Sequence, residues 1–350
     1  MLGCVLPLPA GPNPDERFRA GVVVKRVLVT GGLGFIGSAF LRRFVVARPD
    51  ICWLNADAMT YCADPRRIDG IDALPHYEAR YVDIANWRMV EGLVAWQPDT
   101  IVHFAAETHV DRSIVDPGVF TRTNVIGTLN ILRLAREVGA RLHHVSTDEV
   151  FGDIGPDEPP FVEASRYNPS SPYAASKAAS DHLVRSWGRT YALPCTISHG
   201  SNTYGVDQLH RAKAEKLMPM VIERCLARRP ITIHGDGENV RDWLHVEDHI
   251  AGIWTILERG AIGESYNIGG TEEVSNYELV DLVVECVARR AEIPVGALWA
   301  LRTYVGDRPG NDRRYALDTT KLRALGWKPE WRLDKGIDDV VQKAVNRWSR

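Results

Sequence analysis

Two pairs of side chains in this sequence have the chemistry and the spacing for acid–base catalysis. In the first pair, Tyr173 and Lys177 are four residues apart, so a helix starting near Pro172 places both on one face. A free tyrosine has a pKa of about 10, and a lysine ammonium within about 4–6 Å favours the phenolate. A tyrosine with a lowered pKa can take a proton from an alcohol while a hydride leaves the same carbon for a nicotinamide. The alternative is a solvated pair that only stabilises the helix.

The second pair is Asp148 and Glu149, which follow Thr147 at the end of a sheet-like run. Parallel α/β sheets bind ligands at this edge, so Thr147 can bond the same alcohol as Tyr173. Two adjacent carboxyl groups in a pocket repel each other, and different surroundings can leave one protonated and the other ionised. An elimination of water needs such an acid and base, whereas a simple oxidation by NAD needs neither. The alternative is two solvated acids in a loop.

A glycine-rich turn directly follows the first predicted strand. Gly31, Gly34 and Gly37 have the spacing GxxGxxG, and Phe35 and Ile36 open the helix that follows. In dinucleotide-binding proteins such glycines allow a tight bend, let the backbone approach a pyrophosphate and let the helix pack closely. The N–H groups at the start of the helix then face the anion. The context favours a dinucleotide site over an ordinary glycine-rich turn.

Two acidic residues stand where further strands are predicted to end. Asp57, 20 residues after Gly37, can bond the ribose hydroxyls of an adenosine and repel a 2′-phosphate, which favours NAD over NADP. Asp83 follows the run 80–82, where a third strand can end near the adenine. The alternative for Asp83 is a helix cap within 83–86.

These residues require a parallel sheet whose strands end at one edge. Apolar runs alternate with amphipathic segments, which is the pattern of βα crossovers. Strands are predicted at 26–30, 51–55, 100–105, 141–146 and 194–198, and helices at 35–47, 123–138, 172–192, 243–258 and 333–348. The sequence therefore predicts an α/β protein with a Rossmann-type doubly wound parallel sheet and a smaller, interleaved α/β substrate-binding domain.

The strict alternation stops after Tyr204, and this divides the chain. Residues 25–204 are predicted to form the NAD-binding domain, to which 243–262 returns. Residues 205–242 and 263–350 are predicted to form the substrate-binding domain. Residues 1–24 lack the basic start and the sustained apolar stretch of a signal peptide, so they are predicted to be a disordered or non-native extension.

The composition argues against several classes of function. The 42 basic residues nearly balance the 45 acidic ones, and a formal net charge of −3 argues against a nucleic-acid or anionic membrane surface. No run of about 18 apolar residues exists to span a bilayer. The six cysteines form no CxxC pair, so no metal site and no disulfide framework are expected, and the cytoplasm is the predicted location.

Taken with these motifs, the sequence resembles the extended short-chain dehydrogenase/reductases, and within them the dTDP-glucose 4,6-dehydratases. The resemblance runs from about residue 25 to residue 348. Its most specific blocks follow one another in the order of that family: 105–114, 146–152, 171–185, 241–248, 266–270 and 307–310.

The resemblance implies an internal oxidation and reduction of a nucleotide-diphosphate glucose on tightly held NAD. Tyr173 would take the C4 hydroxyl proton, supported by Lys177 and Thr147. Glu149 would remove the C5 proton, and Asp148 would protonate the leaving C6 hydroxyl. The implied NAD contacts are Gly31, Gly34, Phe35, Ile36, Gly37, Asp57, Asp83, Ile84, Ala105, Ala106, Thr108, Tyr173, Lys177 and Thr203. The implied substrate contacts are Thr108, Thr147, Asn202, Lys216, Leu217, Thr232, His234, Arg241, Asn267, Asp307, Arg308 and Asn311. A homodimer through helices 123–138 and 172–192 is also implied.

The chain departs from that family mainly where a substrate would be recognised. His199 stands where the family has Arg, Thr203 where it has Asn, and Asn311 where it commonly has His, while 206–216 is longer than usual. Three alternatives therefore stay open: a 4,6-dehydratase acting on a UDP-linked sugar, a nucleotide-sugar 4-epimerase, and a non-catalytic NAD-binding scaffold.

Arg241 has a physical argument of its own. A guanidinium is always charged and can hold a diphosphate through two parallel hydrogen bonds. The alternative is an ion pair with Asp242 or Glu247, which lie close by in sequence.

Overall fold

The computed structural model describes residues 24–208 and 216–348. The predicted N-terminal extension therefore lies outside the described residues, apart from Val24, which packs against the core. The strands are β1 Arg26–Thr30, β2 Cys52–Asp57, β3 Tyr77–Tyr81, β4 Thr100–His103, β5 Arg141–Thr147, β6 Cys195–Gly200, β7 Asn202–Tyr204, β8 Ile231–His234, β9 Val240–His245, β10 Ser265–Ile268, β11 Glu273–Ser275 and β12 Arg302–Val305.

Seven of these strands form one large sheet in the order β10-β6-β5-β4-β1-β2-β3. All neighbouring strands in it are parallel. The chain passes from β1 to β2 on one side and later returns to β4 on the other, so the strand order reverses between β1 and β4. Doubly wound sheets bind ligands outside the carboxyl ends of the strands at this reversal. The predicted Rossmann-type sheet is confirmed.

Both faces of the large sheet are covered, which is why its strands read as continuous apolar runs. Leu28, Leu54 and Ile101 belong to the core on one face, and Val27 and Val29 to the core on the other. All five are at most 1% exposed. Each larger side chain among them contributes about 1.5–3 kcal/mol by leaving water, so the sheet is a rigid base for its carboxyl edge.

Helices flank the large sheet and form part of the smaller region, and some of them begin with a side-chain cap. They are α1 Phe35–Ala47, α2 Trp87–Glu91, α3 Val110–Val115, α4 Pro117–Phe120, α5 Thr128–Val138, α6 Pro172–Tyr191, α7 Leu217–Ala227, α8 Val246–Arg259, α9 Asn276–Arg290, α10 Val295–Trp299, α11 Thr320–Arg323 and α12 Leu333–Trp348. Helix α6 begins where predicted, because Pro172 fits the first turn and the Ser171 hydroxyl accepts the Ala174 N–H at 3.1 Å.

A second, separate core lies in the smaller region. It is formed mainly by α7, α9 and α12, which bury Val221, Val283 and Ile337, among other residues. Two small sheets accompany it, one in the order β11-β9-β7 and one pairing β12 with β8. This region places β9 and the segment after β12 close to the edge of the large sheet.

Several predicted boundaries were wrong. The helix predicted at 243–258 begins only at Val246, because Trp243 lies on β9, which pairs with β7 and β11. The helix predicted at 123–138 is a π-helix over Thr121–Gly127, followed by α5. Strand β10 lies in the range 263–350 predicted for the substrate-binding domain, but it pairs with β6 in the large sheet. Such strand partners are distant in sequence, so local periodicity cannot reveal them.

Within residues 24–208 and 216–348, no helix is both long and apolar enough to cross a membrane. In the same ranges, no three His, Cys, Asp or Glu side chains cluster as metal ligands would.

Candidate active site

The glycine-rich turn lies where β1 and β4 end. Gly31 has a φ of 73°, and a Cβ there would lie 2.6 Å from Ala105 N. A Cβ at Gly37 would lie 2.4 Å from Gly31 O, so glycine is required at both positions. Helix α1 begins at Phe35 with Gly34 as its N-cap, and no side chain of the described residues caps it. The first N–H groups of α1 are therefore available to an anion.

Asp57 ties this turn to the end of β2. Its carboxylate accepts the Leu33 N–H at 2.9 Å and the Met59 N–H at 2.8 Å. Burial raises the pKa of Asp57, and the two hydrogen bonds oppose that rise. The carboxylate thus stands beside the glycine-rich turn, as the sequence predicted for a group that bonds a ribose.

Asp83 has mainly local contacts. Its carboxylate accepts the Ala85 N–H at 2.9 Å and lies 3.2 Å from Arg122 Nη2. Ile84 is buried, and a Cβ on Gly127 would lie 2.5 Å from its Cδ1, so Ile84 packs tightly against the π-helix. Asp83 closes a local turn, and cofactor contacts of these two residues stay a prediction.

Lys177 lies on the buried face of α6, one helical turn after Tyr173. Its ammonium donates to Val145 O at 2.8 Å and lies 3.5 Å from His144 Nε2. Burial lowers the pKa of Lys177 to about 8, and the charge of Asp181 opposes this. The lysine is therefore a buried cation held by β5 and by its own helix.

The predicted lowering of the Tyr173 pKa is wrong for the protein alone. The phenol is 7% exposed, and Phe120 packs edge-on against it with 6.3 Å between ring centroids. Burial raises the pKa of Tyr173, and the charge of Glu149 raises it further. A hydrogen bond with Thr147 acts in the opposite direction. Desolvation dominates because a buried phenolate has lost its water.

Asp148 lies in a 3₁₀ turn, Asp148–Val150, directly after β5. It is 2% exposed, Thr147 Oγ1 donates to its Oδ1 at 3.1 Å, and its Oδ2 has no hydrogen-bond partner among the described residues. Burial raises the pKa of Asp148 to about 8, with a further contribution from the charge of Glu149. Asp148 therefore holds its proton at neutral pH and can give it to a ligand.

Glu149 has different surroundings from its neighbour. Burial raises the pKa of Glu149 overall, and the charges of Lys216, Arg308 and Arg241 partly oppose that rise. Three cations from the smaller region thus favour the ionised form of Glu149. The pKa of both carboxyl groups is raised, and three cations face Glu149, so the split into one protonated and one ionised group stays a prediction.

Arg241 is 4% exposed, and its hydrogen bonds run to carbonyl and amide oxygens. Its guanidinium donates to Val240 O and Asp312 O, both at 2.8 Å, and to Asn311 Oδ1 at 3.2 Å. The carboxylates weighed as alternatives bind elsewhere: Asp242 accepts the Gly270 N–H, and Glu247 pairs with Arg43. The charge of Arg241 is available to an anionic ligand.

Asn311 brings a second guanidinium to the same place. Arg308 Nε donates to Asn311 Oδ1 at 3.2 Å, the oxygen that also accepts from Arg241. The Asn311 amide in turn donates to Asp307 Oδ1 at 2.7 Å. Lys216, before α7, donates to Thr108 O at 3.2 Å. The structure thus brings together the predicted residues Thr108, Lys216, Arg241, Asp307, Arg308 and Asn311 near the acidic pair.

Asn267 and Thr203 are placed differently from the predicted ligand contacts. Asn267 is fully buried; its Nδ2 donates to Phe161 O at 2.8 Å, and its Oδ1 lies 3.2 Å from His199 Nδ1. Thr203 Oγ1 donates to Ser201 O at 3.0 Å. These polar side-chain atoms have partners within the protein, and ligand contacts of Asn267 and Thr203 stay a prediction.

The other predicted residues lie around the same edge. Leu217 begins α7, Asn202 begins β7, and Thr232 and His234 lie on β8. Residues Ala105 and Ala106 follow β4 beside the glycine-rich turn. The predicted ligand contacts of these residues stay a prediction.

Asn124 is a site residue that the sequence did not single out. Its amide donates to Glu107 O at 3.0 Å and to Ser176 Oγ at 2.8 Å, and its Oδ1 accepts the Glu107 N–H at 2.8 Å. It lies in the π-helix, an irregularity often found at functional sites. The one signal available in the sequence was a polar Asn within an amphipathic segment.

The observed cradle fits NAD. The uncapped start of α1 and the close glycines fit a pyrophosphate, and Asp57 at the end of β2 has the position of the acidic residue that bonds a ribose in dinucleotide-binding folds. The parallel sheet, this turn and the buried Tyr173–Lys177 pair together define an NAD-binding protein of the extended short-chain dehydrogenase/reductase class.

A model of the GDP-mannose 4,6 dehydratase family matches residues 28–340. The dTDP-glucose 4,6-dehydratase of Haemophilus influenzae is 42% identical over 331 residues, covering 90% of this chain and 96% of that protein. The chain therefore belongs to this dehydratase family, among the dTDP-glucose 4,6-dehydratases.

Solved structures agree with that assignment. The dTDP-glucose 4,6-dehydratase DesIV of Streptomyces venezuelae, solved with NAD and TYD bound, is 41% identical with a TM-score of 0.83, covering 93% of this chain and 97% of that one. The UDP-glucose 4-epimerase of Thermotoga maritima has a TM-score of 0.82 at 25% identity, covering 92% and 99%. The fold is thus shared with epimerases, while the sequence is closer to the dehydratase.

Proposed function

We propose that this protein is an NAD-dependent hydro-lyase that converts dTDP-glucose to dTDP-4-keto-6-deoxyglucose. The observation that carries the proposal is the Asp148–Glu149 pair beside Tyr173. A carboxyl group with a pKa of about 8 stands next to one that three cations face. Elimination of water needs this acid and base, whereas epimerisation at C4 needs neither. The names and the identity of the relatives support the same substrate.

The residues divide the reaction among them. Tyr173 takes the proton of the C4 hydroxyl, and Thr147 bonds the same oxygen. When bound, NAD⁺ supplies the oxidant that accepts the C4 hydride and returns it to C6. The C4 ketone makes the C5 proton acidic, and Glu149 removes it. Asp148 gives its proton to the C6 hydroxyl, which leaves as water.

The protons balance over one turnover. Glu149 returns its proton to C5 as C6 is reduced, and the proton that Tyr173 took replaces the one that Asp148 gave. The net change is the loss of one water, with no external reductant. Arg241, Arg308 and Lys216 hold the diphosphate, because they are cations placed beside the acidic pair.

Mass spectrometry of purified enzyme tests the proposal. The protein is incubated with dTDP-glucose and, separately, with UDP-linked sugars, without added reductant. We expect dTDP-glucose to lose the mass of one water. A new sugar of unchanged mass would indicate a 4-epimerase. Dehydration of UDP-linked sugars alone would show that the nucleotide of the substrate is not dTDP. NAD binding without turnover on any of these sugars would indicate a scaffold.

We further propose that the protein is a homodimer through the π-helix, α5 and α6. Ile126 and Tyr191, on these helices, are large apolar residues that are 44% and 45% exposed. Light scattering coupled to size-exclusion chromatography should give twice the chain mass, and Ile126→Glu should weaken the dimer. A wild-type monomer at micromolar concentration contradicts this. The cytoplasm is the proposed compartment, supported by the free thiols of all five cysteines in the described residues.

A further inference from the structure

Helix α6 carries a third ionisable group in line with Tyr173 and Lys177. Tyr173, Lys177 and Asp181 are spaced four residues apart, so phenol, ammonium and carboxylate follow one another along one helix face. All three are buried, and Asp181 is 0% exposed. An unpaired charge that is shielded from water destabilises the fold, so a buried carboxylate is expected to have polar partners.

The hydrogen-bond donors to Asp181 Oδ2 are hydroxyl groups, which carry no charge. Ser146 Oγ and Tyr167 Oη both donate to its Oδ2 at 2.8 Å. His144 Nε2 lies 3.2 Å from Oδ1, and His199 Nε2 lies 3.3 Å from Oδ2. Burial alone would raise the pKa of Asp181, but the hydrogen bonds from these histidines hold it well below the ordinary value. Asp181 is therefore an anion.

His144 stands between the anion and the lysine. Burial lowers the pKa of His144 to about 4, so its ring is neutral at neutral pH. A neutral ring beside the carboxylate leaves its negative charge uncancelled. The same ring nitrogen lies 3.5 Å from Lys177 Nζ. The nearest arginine of α6, Arg185, donates to Tyr167 Oη at 2.9 Å and to Ser265 Oγ.

We propose that Asp181 is a positioning residue of the dehydration reaction, acting as the buried counter-charge that keeps Lys177 a cation beneath Tyr173. The hydroxyl donors to Asp181 and the neutral ring of His144 leave the negative charge of Asp181 to act on Lys177. Since burial opposes the charged form of Lys177 and Asp181 favours it, the carboxylate decides whether the lysine carries its proton. The inference rests on the proposed function only because Tyr173 and Lys177 act in that reaction.

Titratable groups face this pair from every neighbouring element. They are His103 on β4, His144 on β5, His199 on β6, Tyr167 in the segment before α6, Tyr173 and Arg185 on α6 itself, and Asp148 and Glu149 after β5. Since Asp148 also has a pKa of about 8, a rate profile alone cannot assign an alkaline limb to Lys177. The test therefore needs a direct readout of the lysine.

The readout is an NMR titration of lysine labelled with ¹³C at Cε, on the NAD-loaded protein. Lys177→Arg identifies the Lys177 resonance by its absence. We expect the wild-type Lys177 to titrate near pH 8, and Asp181→Asn to lower this midpoint by about one pH unit or more, a tenfold or larger loss of proton affinity. Asp181→Glu keeps the charge and should restore most of the shift.

Asp248→Asn is the matched control. Asp248 is also a buried helix carboxylate, but it accepts the Glu330 and Trp331 N–H groups, far from Lys177 in the fold. This variant should leave the Lys177 midpoint unchanged. An unshifted midpoint in Asp181→Asn overturns the proposal. If Asp181→Asn does not fold, a wild-type Lys177 that is neutral at neutral pH overturns it equally.

A kinetic readout separates the inference from the proposed function. The single-turnover rate of NADH formation with dTDP-glucose should fall in Asp181→Asn most strongly at alkaline pH, with little change in KM. Turnover with an unshifted Lys177 contradicts the role of Asp181. A shifted Lys177 in a protein that turns over no nucleotide sugar contradicts the proposed function and leaves the charge pairing intact.

Discussion

The two halves of the active site are built from different material. The NAD half consists largely of backbone, because residues 31–37 run without a break from the turn after β1 into the start of α1. The substrate half consists of side chains from distant segments, with Lys216 before α7, Arg241 on β9 and Arg308 after β12. The first half depends on shape that glycine permits, and the second depends on charges that the fold brings together.

This difference decides how each half can vary. At Gly31 and Gly37 any side chain meets backbone atoms, so the NAD half tolerates little change. In the substrate half, one amide oxygen of Asn311 contacts two guanidiniums, and exchanging such a residue moves charges without disturbing the sheet. One of the departures from other members of the family, Asn311, falls in this half. Recognition of the sugar nucleotide can therefore change while NAD chemistry is kept.

The sharpest test of the substrate half is Glu149→Gln, for which we expect the largest effect. The amide cannot take the C5 proton, so overall dehydration should fall by about 10²–10⁴-fold. Oxidation at C4 depends on Tyr173 and Lys177, so NADH should still form and accumulate in a single turnover. Stopped-flow absorbance and product mass follow the two steps separately. An equal loss of both steps contradicts the role of Glu149 as base.

Arg241→Gln tests whether the cations of the substrate half bind the diphosphate. A lost charge-assisted hydrogen bond costs about 1.5–3 kcal/mol, so KM for dTDP-glucose should rise about 10–100-fold, more than kcat falls. Arg314→Gln is the matched control, because Arg314 also donates to carbonyl oxygens but pairs with Glu273. The control should lose stability and keep its KM. A normal KM in Arg241→Gln would remove this residue from the binding site.

The contrast between the halves also explains what the sequence could predict. The turn 31–37, the start of α6 at Pro172 and the Tyr173–Lys177 face are local patterns, and the structure has them where predicted. Strands β7, β9 and β11 gain their stability from partners far along the chain. Local periodicity holds no record of such pairing, so Trp243 was wrongly placed in a helix.

Electrostatics were predicted only in part. The adjacent acids predicted one protonated and one ionised group. Burial raises the pKa of both, so only the protonated state of Asp148 follows from the structure. The pKa of Tyr173 was predicted in the wrong direction, since desolvation depends on burial that the spacing of Tyr173 and Lys177 does not reveal. Asn124 and Asp181 were missed because their partners lie on other elements. For Asp181, the sequence did offer one signal, which is its position four residues after Lys177 on the same helix face.

Asp57→Asn tests the NAD half, with a smaller effect than either substitution above. Its carboxylate is expected to bond the adenosine ribose, so the variant should bind NAD about tenfold more weakly and discriminate less against NADP. Calorimetric titration of the apoprotein with both cofactors measures this. Asp99→Asn is the control, because Asp99 accepts the Lys25 and Arg26 N–H groups at the opposite edge of the sheet. Unchanged discrimination in Asp57→Asn would place the ribose elsewhere.

The smallest expected effect is on stability, and it tests whether Asp148 is protonated in the folded protein at neutral pH. Asp148 has a pKa of about 8 when folded and 3.8 as its ordinary value, so the folded protein binds this proton more tightly. The stabilisation is complete below the ordinary pKa and is lost as the pH rises through the folded pKa. Asp148→Asn cannot ionise, so its melting temperature should gain on wild type by about a few degrees between mildly acidic and mildly alkaline pH. Asp50→Asn, at an exposed acid whose pKa Arg48 lowers, should not reproduce this gain. A parallel pH dependence of wild type and Asp148→Asn would show that Asp148 is already ionised at neutral pH and cannot be the acid.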